Sequence, residues 1–92
     1  MKITYDSVKN MRNIAERSLS FERALAFDFE TAKFWQDTRR EYSEVRIVAI
    51  GYLDNRLHVL VFSEITDGIR IISFRKANLR EGVTHGFTLT RN

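Results

Sequence analysis

The chain has no cysteine and no proline, only four glycines and two histidines, and no long apolar run. Without cysteine there is neither a disulfide framework nor a thiolate metal site. His58 and His85 stand far apart with no ligand spacing around them, which argues against a structural zinc. No glycine-rich phosphate loop, nucleophile elbow or metal-binding carboxylate cluster is present. An enzyme built on this chain is therefore expected to use no metal and no nucleotide cofactor. No segment approaches the length of a membrane span, and Met1-Lys2-Ile3-Thr4-Tyr5-Asp6 lacks the apolar centre of a signal peptide. The expected location is the cytoplasm, with no membrane partner. No linker, repeat or low-complexity segment divides the chain, which predicts one domain over residues 1–92 with an irregular tail from about residue 83.

What is present is a folding composition: 43% hydrophobic residues with charges of both signs well mixed, which excludes disorder. Ninety-two residues supply one modest core. The formal charge of +3 is too mild to identify a nucleic-acid binder. Its distribution is more informative. From Arg70 onward Arg70, Arg75, Lys76, Arg80 and Arg91 are opposed by Glu81 alone.

Period-two patterning runs through three successive segments, Val45 to Leu53, Arg56 to Ile65 and Ile69 to Lys76, and predicts an antiparallel meander. Asp54-Asn55 and Thr66-Asp67-Gly68 are the turns, because Asp, Asn and Gly tolerate positive φ. A three-residue loop with Gly68 left-handed would set Ile65 across from Ile69, Glu64 from Arg70 and His58 from Lys76. It would also place Arg70, Ile72, Phe74 and Lys76 on one face and Arg75 on the other.

Before the meander, Ile3-Thr4-Tyr5 suits a short strand, and Asp6 or Ser7 caps a helix from Val8 to Arg17. Val8, Met11, Ile14 and Ala15 form its apolar stripe, so Lys9, Arg12, Asn13 and Glu16 are expected to face solvent. A second helix is expected from the Ser20 cap, with Phe21, Ala24, Leu25 and Phe27 apolar. Thr31 to Thr38 reads as a weak edge strand, and Arg39 to Glu44 as an exposed loop. Phe29, Phe34 and Trp35 can either close the core or leave an apolar patch for a partner. A helical turn at Ala77 to Glu81 is expected to stop at Gly82. The order predicts an α+β fold, with two N-terminal helices packed on a mostly antiparallel twisted sheet and a short C-terminal helix.

A compact cationic site suits RNA cleavage, since the 2′-hydroxyl is an internal nucleophile and positive side chains stabilise phosphate charge. Glu64 beside Arg70 is more often a plain cross-strand ion pair than a catalytic dyad, and His58 beside Lys76 more often an ordinary surface or half-buried histidine than a proton donor near a phosphate.

From about Tyr5 to Lys76 the sequence resembles the BrnT family of type II toxin ribonucleases, which share a RelE-like fold. The resemblance lies in Tyr5-Asp6, Lys9-Asn10, Ser20-Phe21-Glu22 with Ala24 and Phe27-Asp28, Asp37 to Arg40, Glu44-Val45-Arg46, Gly51 and Leu60 to Glu64. The run from Ile69 to Ala77 is its most specific part. The resemblance implies an endoribonuclease that cuts RNA, messenger RNA above all, without a metal, to inhibit translation and growth. It also implies a toxin homodimer neutralised by a BrnA-type antitoxin, with operator DNA bound only through that antitoxin. Arg70 and Lys76 would hold the scissile phosphate, Arg46 would assist, and Glu64 would orient Arg70 or accept a proton. Arg75, His58 and Arg80 would bind RNA. Three departures give a competing expectation, an inactive relative that only binds antitoxin or RNA. Glu16-Arg17-Ser18-Leu19 replaces a histidine-containing motif, Phe62 stands where tyrosine is common, and the chain after Ala77 differs.

Overall fold

The computed structural model describes residues 1–91. In chain order it contains β1 (Lys2–Thr4), α1 (Ser7–Arg17), a 3₁₀ helix (Phe21–Ala26), β2 (Lys33–Gln36), β3 (Ile47–Leu53), β4 (Arg56–Ile65), β5 (Gly68–Lys76) and α2 (Leu79–His85). The strands form one sheet in the order β1-β5-β4-β3-β2, in which β1 runs parallel to β5 and every other pair is antiparallel. The α+β architecture and the three-stranded meander agree with the sequence. The second N-terminal helix does not: Phe21–Ala26 is a six-residue 3₁₀ segment capped by Ser20.

Two hydrophobic cores lie on opposite faces of the sheet. Leu60, Phe62, Ile69, Ile71 and Phe74 pack under Leu19, Phe21, Ala24 and Phe27 from the 3₁₀ region. On the other face Val48, Ile50, Tyr52, Leu57 and Val59 are covered by Ala77, Phe87 and Leu89. α2 runs to His85, so the irregular stretch begins at Gly86 and not at about residue 83, and Phe87 and Leu89 within it pack on this core. α2 continues through Gly82, which is buried within it, and ends at Gly86, whose φ of 79° suits glycine at a helix C-cap. The Asn78 and Glu81 side chains form a capping box at its start. Beyond α2, Leu57 N–H donates to Leu89 O and Arg91 N–H to Asn55 O. The Arg91 guanidinium lies over the Tyr52 ring and donates to Asp28.

Pairing within the meander departs from the sequence expectation near the second turn. Lys76 lies across from His58 and Phe74 from Leu60, as expected, but beyond Val61 the register shifts by one residue, so that Ile71 pairs with Phe62 and Arg70 with Ser63. The bulge absorbs Ile72. It lets Ile69, Ile71 and Phe74 all enter the same core, and it places Glu64 and Arg70 on opposite faces of the sheet. The turn consequently has two residues, with Asp67 and not Gly68 at positive φ. Gly68 answers a different need: a Cβ there would come 1.8 Å from Lys2 O, so the glycine permits β1 to dock.

α1 reverses the orientation its apolar stripe predicts. Among the described residues no strand pairs β5 beyond Arg70 on its outer edge. α1 meets that edge with amides: buried Asn13 donates from Nδ2 to Phe74 O and to Leu19 O, both at 2.9 Å. The Asn10 side-chain oxygen Oδ1 accepts from Phe21 N–H. Satisfying backbone groups at a strand edge outweighs burying Val8, Met11 and Ile14, which remain exposed.

Candidate functional site

The inverted mounting of α1 turns its charged side toward the sheet and opens a cleft of about 430 Å³. One wall carries Lys9, Arg12, Asn13, Glu16 and Arg17 of α1. The floor is Val59, Val61, Ile72, Ser73 and Arg75 of β4 and β5, and Asp37, Arg39 and Arg46 of the β2–β3 loop close the far side. Six cations thus face two carboxylates.

The loop that supplies Arg46 is organised by Asp37. This buried carboxylate accepts from Arg39 Nε at 2.9 Å and Nη2 at 2.8 Å, and from the Tyr42 hydroxyl at 3.1 Å. The Arg39 hydrogen bonds hold its carboxyl far below the ordinary carboxylate range, against the opposing effect of desolvation. Asp37 N–H also donates to Arg46 O at 2.8 Å, which ties both ends of the loop together. The Arg46 guanidinium then stacks on the Tyr42 ring, 4.1 Å from its centroid. Its Nε is buried and has no hydrogen-bond partner, an unmet donor on a charged group at the cleft.

Arg75 is fixed by the opposite means. Glu81 of α2 accepts from its Nη1 and Nη2 at 2.8 and 2.7 Å, a bidentate pair. Hydrogen bonding to Glu81 raises the Arg75 pKa, and Arg75 in turn draws Glu81 down to about 2. Glu81 is therefore an anchor for a cation and a poor base. Glu16, the remaining cleft carboxylate, makes no ion pair or side-chain hydrogen bond among the described residues.

A second cavity of about 360 Å³ adjoins the first and shares Arg17 and Arg75 with it. His58 and Lys76 line it. Arg56 O can only accept, so the 2.7 Å contact with His58 Nδ1 places the ring proton on Nδ1 and leaves Nε2 as an acceptor. Burial pushes the His58 pKa down from 6.5 and favours the neutral ring.

The seven residues singled out from the sequence therefore divide. Arg46 and Arg75 both line the main cleft, and His58 and Lys76 line the adjoining cavity. Arg70 shares the sheet face of Arg75 but lies toward Asp6 at the start of α1, where its charge helps lower the Asp6 pKa, an effect led by the Lys9 N–H hydrogen bond. Glu64 is exposed near the turn on the other face, so the expected Glu64–Arg70 pair does not form. Arg80 stands exposed on α2 and lines neither cavity. Sequence reasoning missed Lys9, Arg12, Arg17 and Arg39. The available signal was Asn13, an amide among the residues assigned to solvent and three positions after a second amide, Asn10. Phe62, the replacement for a common tyrosine, is a core residue edge-on to Phe29 and lines neither cavity. Phe29 is half-buried, whereas Phe34 and Trp35 are exposed on edge strand β2, with Trp35 stacked on His85.

Among the described residues no helix is long and apolar enough to cross a membrane. No curated protein matches the chain. Residues 5–81 match the family described as "Ribonuclease toxin, BrnT, of type II toxin-antitoxin system". That match spans most of the sequence, including α1, the β2–β3 loop and all of β5, and the chain belongs to the BrnT family of ribonuclease toxins.

Proposed function

We propose that the protein is a metal-independent endoribonuclease that cleaves RNA, messenger RNA in particular, in the cleft between α1 and the sheet. The observation that carries this reading is that two guanidiniums line that cleft, Arg46 with an unmet buried donor and Arg75 held by Glu81. In this reading they grip the non-bridging oxygens of the scissile phosphate. Their charge is in place before the reaction, so the developing dianion is stabilised without reorganisation. The 2′-oxygen forms a bond to phosphorus as the bond to the 5′-oxygen breaks, giving a 2′,3′-cyclic phosphate and a 5′-hydroxyl. Glu16 accepts the 2′-proton, and the leaving 5′-oxygen takes a proton from water or a neighbouring cation.

Lys76 and His58 bind the adjoining nucleotide, and Arg70 and Arg80 hold phosphates farther along the strand. Membership of a type II toxin-antitoxin family brings an antitoxin partner with it. In our reading this is a BrnA-type protein that silences a toxin homodimer in the cytoplasm and supplies the operator contacts. The core position of Phe62 favours the active enzyme over a binding-only relative, because the substitution falls outside both cavities.

The test is incubation of labelled RNA with the purified protein in EDTA. Products ending in a 2′,3′-cyclic phosphate are expected, and Glu16→Gln should slow their formation by about 10²-fold or more. Intact RNA, with ribosomes present as well as absent, would rule the reading out.

A further inference from the structure

Three side chains at helical spacing, Val8, Met11 and Ile14, are 62%, 69% and 44% exposed on the outer side of α1. They form one row with Ala15 beside it, and among the described residues nothing covers it. The row exists because Asn10 and Asn13 occupy the inner side of the helix. The polar anchors account for the mounting of α1, but they do not account for apolar residues on its outer side. Serine or lysine there would serve the anchors equally well and would avoid apolar surface in water.

The rim of the row identifies its occupant. Lys9, Arg12 and Glu16 lie between the row and the cleft, which all three also line, so the rim carries two cations to one carboxylate. A second copy of the chain fits poorly. A two-fold contact centred on Met11 sets neighbouring Arg12 residues of the two copies against each other. An acidic helix meets the same rim with opposite charge.

We infer that the row docks an amphipathic helix of the antitoxin, its apolar side on Val8, Met11 and Ile14 and its acidic side chains against Lys9 and Arg12. The inference rests on family membership, which supplies the partner, and is independent of the cleavage mechanism. Acidic side chains of such a helix would occupy Lys9 and Arg12, two of the cations that line the cleft, so docking would compete with RNA for that charge.

The experiment titrates the purified cognate antitoxin into the full chain and compares the parent with Met11→Glu, Ile14→Ser, Arg12→Glu and Val83→Glu. Val83 is an equally exposed apolar residue on α2 and serves as the control surface. Met11→Glu should weaken binding by at least about tenfold. Val83→Glu should bind as the parent does, and Arg12→Glu should flatten the salt dependence of affinity. Met11 lines neither cavity, so Met11→Glu should cleave RNA at the parent rate but escape inhibition by antitoxin. Parent-like affinity in both Met11→Glu and Ile14→Ser, each shown folded by its melting transition, would overturn the inference. So would a parent dimer that Met11→Glu converts to monomer, which would assign the row to a second copy. Failure of the parent to bind antitoxin would overturn it as well, while its RNA cleavage would be judged separately.

Discussion

Asn13 decides where α1 sits. Its amide supplies the donor for Leu19 O and Phe74 O, and its own oxygen accepts from Arg17 at 2.6 Å. Replacing it with alanine leaves two carbonyls without that donor in a buried setting. Asn13→Ala is therefore expected to lose about 1–3 kcal/mol in urea unfolding, far more than a substitution at exposed Arg12. Because α1 forms one wall of the cleft, the same variant should also lower cleavage; a fully stable Asn13→Ala protein would mean that something else holds the helix. Arg46 and Arg75 illustrate two ways of fixing a cation. Stacking on Tyr42 leaves the Arg46 Nε without a partner, whereas Glu81 occupies one side of Arg75 and fixes the direction of its charge. The carboxylates around them are committed in turn: Asp37 to its loop and Glu81 to Arg75.

At the scale of elements, β1 depends on a single missing side chain. A Cβ on Gly68 would overlap Lys2 O, so Gly68→Ala should release β1 from β5 and destabilise the protein by more than about 2 kcal/mol. Amide exchange checks the mechanism: protection at Lys2, which donates to Asp67 O, should vanish in the variant while β3 and β4 stay protected. Unchanged protection would contradict it. The three meander strands were legible because alternation and the Asp54-Asn55 turn both specify them; Asp54 and Asn55 do take positive φ. The bulge was not read, although the core spacing Ile69, Ile71, Phe74 carries its trace, an odd step in an otherwise even series. α1 was legible as a helix and not in its orientation, since apolar periodicity cannot register an unpaired strand edge that only the assembled sheet creates. For the same reason Arg46 and Arg75 could be named in advance, whereas Lys9, Arg12, Arg17 and Arg39 join them only after α1 and the β2–β3 loop close around the cleft.

For the whole molecule, buried and paired titratable groups set the pH range of stability. Burial holds the folded-state His58 pKa below 6.5, so the unfolded chain binds more protons as pH falls below that value. The stability this group contributes is full above about pH 6.5 and is lost as pH falls through the interval toward the folded pKa. Glu81, at about 2 against an ordinary 4.5, and Asp28, at about 2 against 3.8, contribute stability that is full above those ordinary values and is lost as pH falls toward 2. Arg75 is the main cause for Glu81, and the Thr31 hydroxyl followed by Arg91 for Asp28. Melting temperature should therefore fall in two stages on acidification, and His58→Gln should remove the upper one. A flat profile between about pH 7 and pH 5 would contradict the placement of His58.

The same assembly that buries His58 places the cleft, and with it the proposed site of cleavage, between α1 and the sheet. The most direct measurement compares single-turnover RNA cleavage in EDTA by the parent, Arg46→Ala and Arg70→Ala. We expect Arg46→Ala to lose about 10²–10³-fold in rate, the effect of removing one preorganised charge. Arg70→Ala should need more RNA for half-saturation and keep a near-parent maximal rate, because Arg70 lies outside the cleft. A parent-like maximal rate in Arg46→Ala together with its loss in Arg70→Ala would place the reaction elsewhere on the sheet and contradict the account.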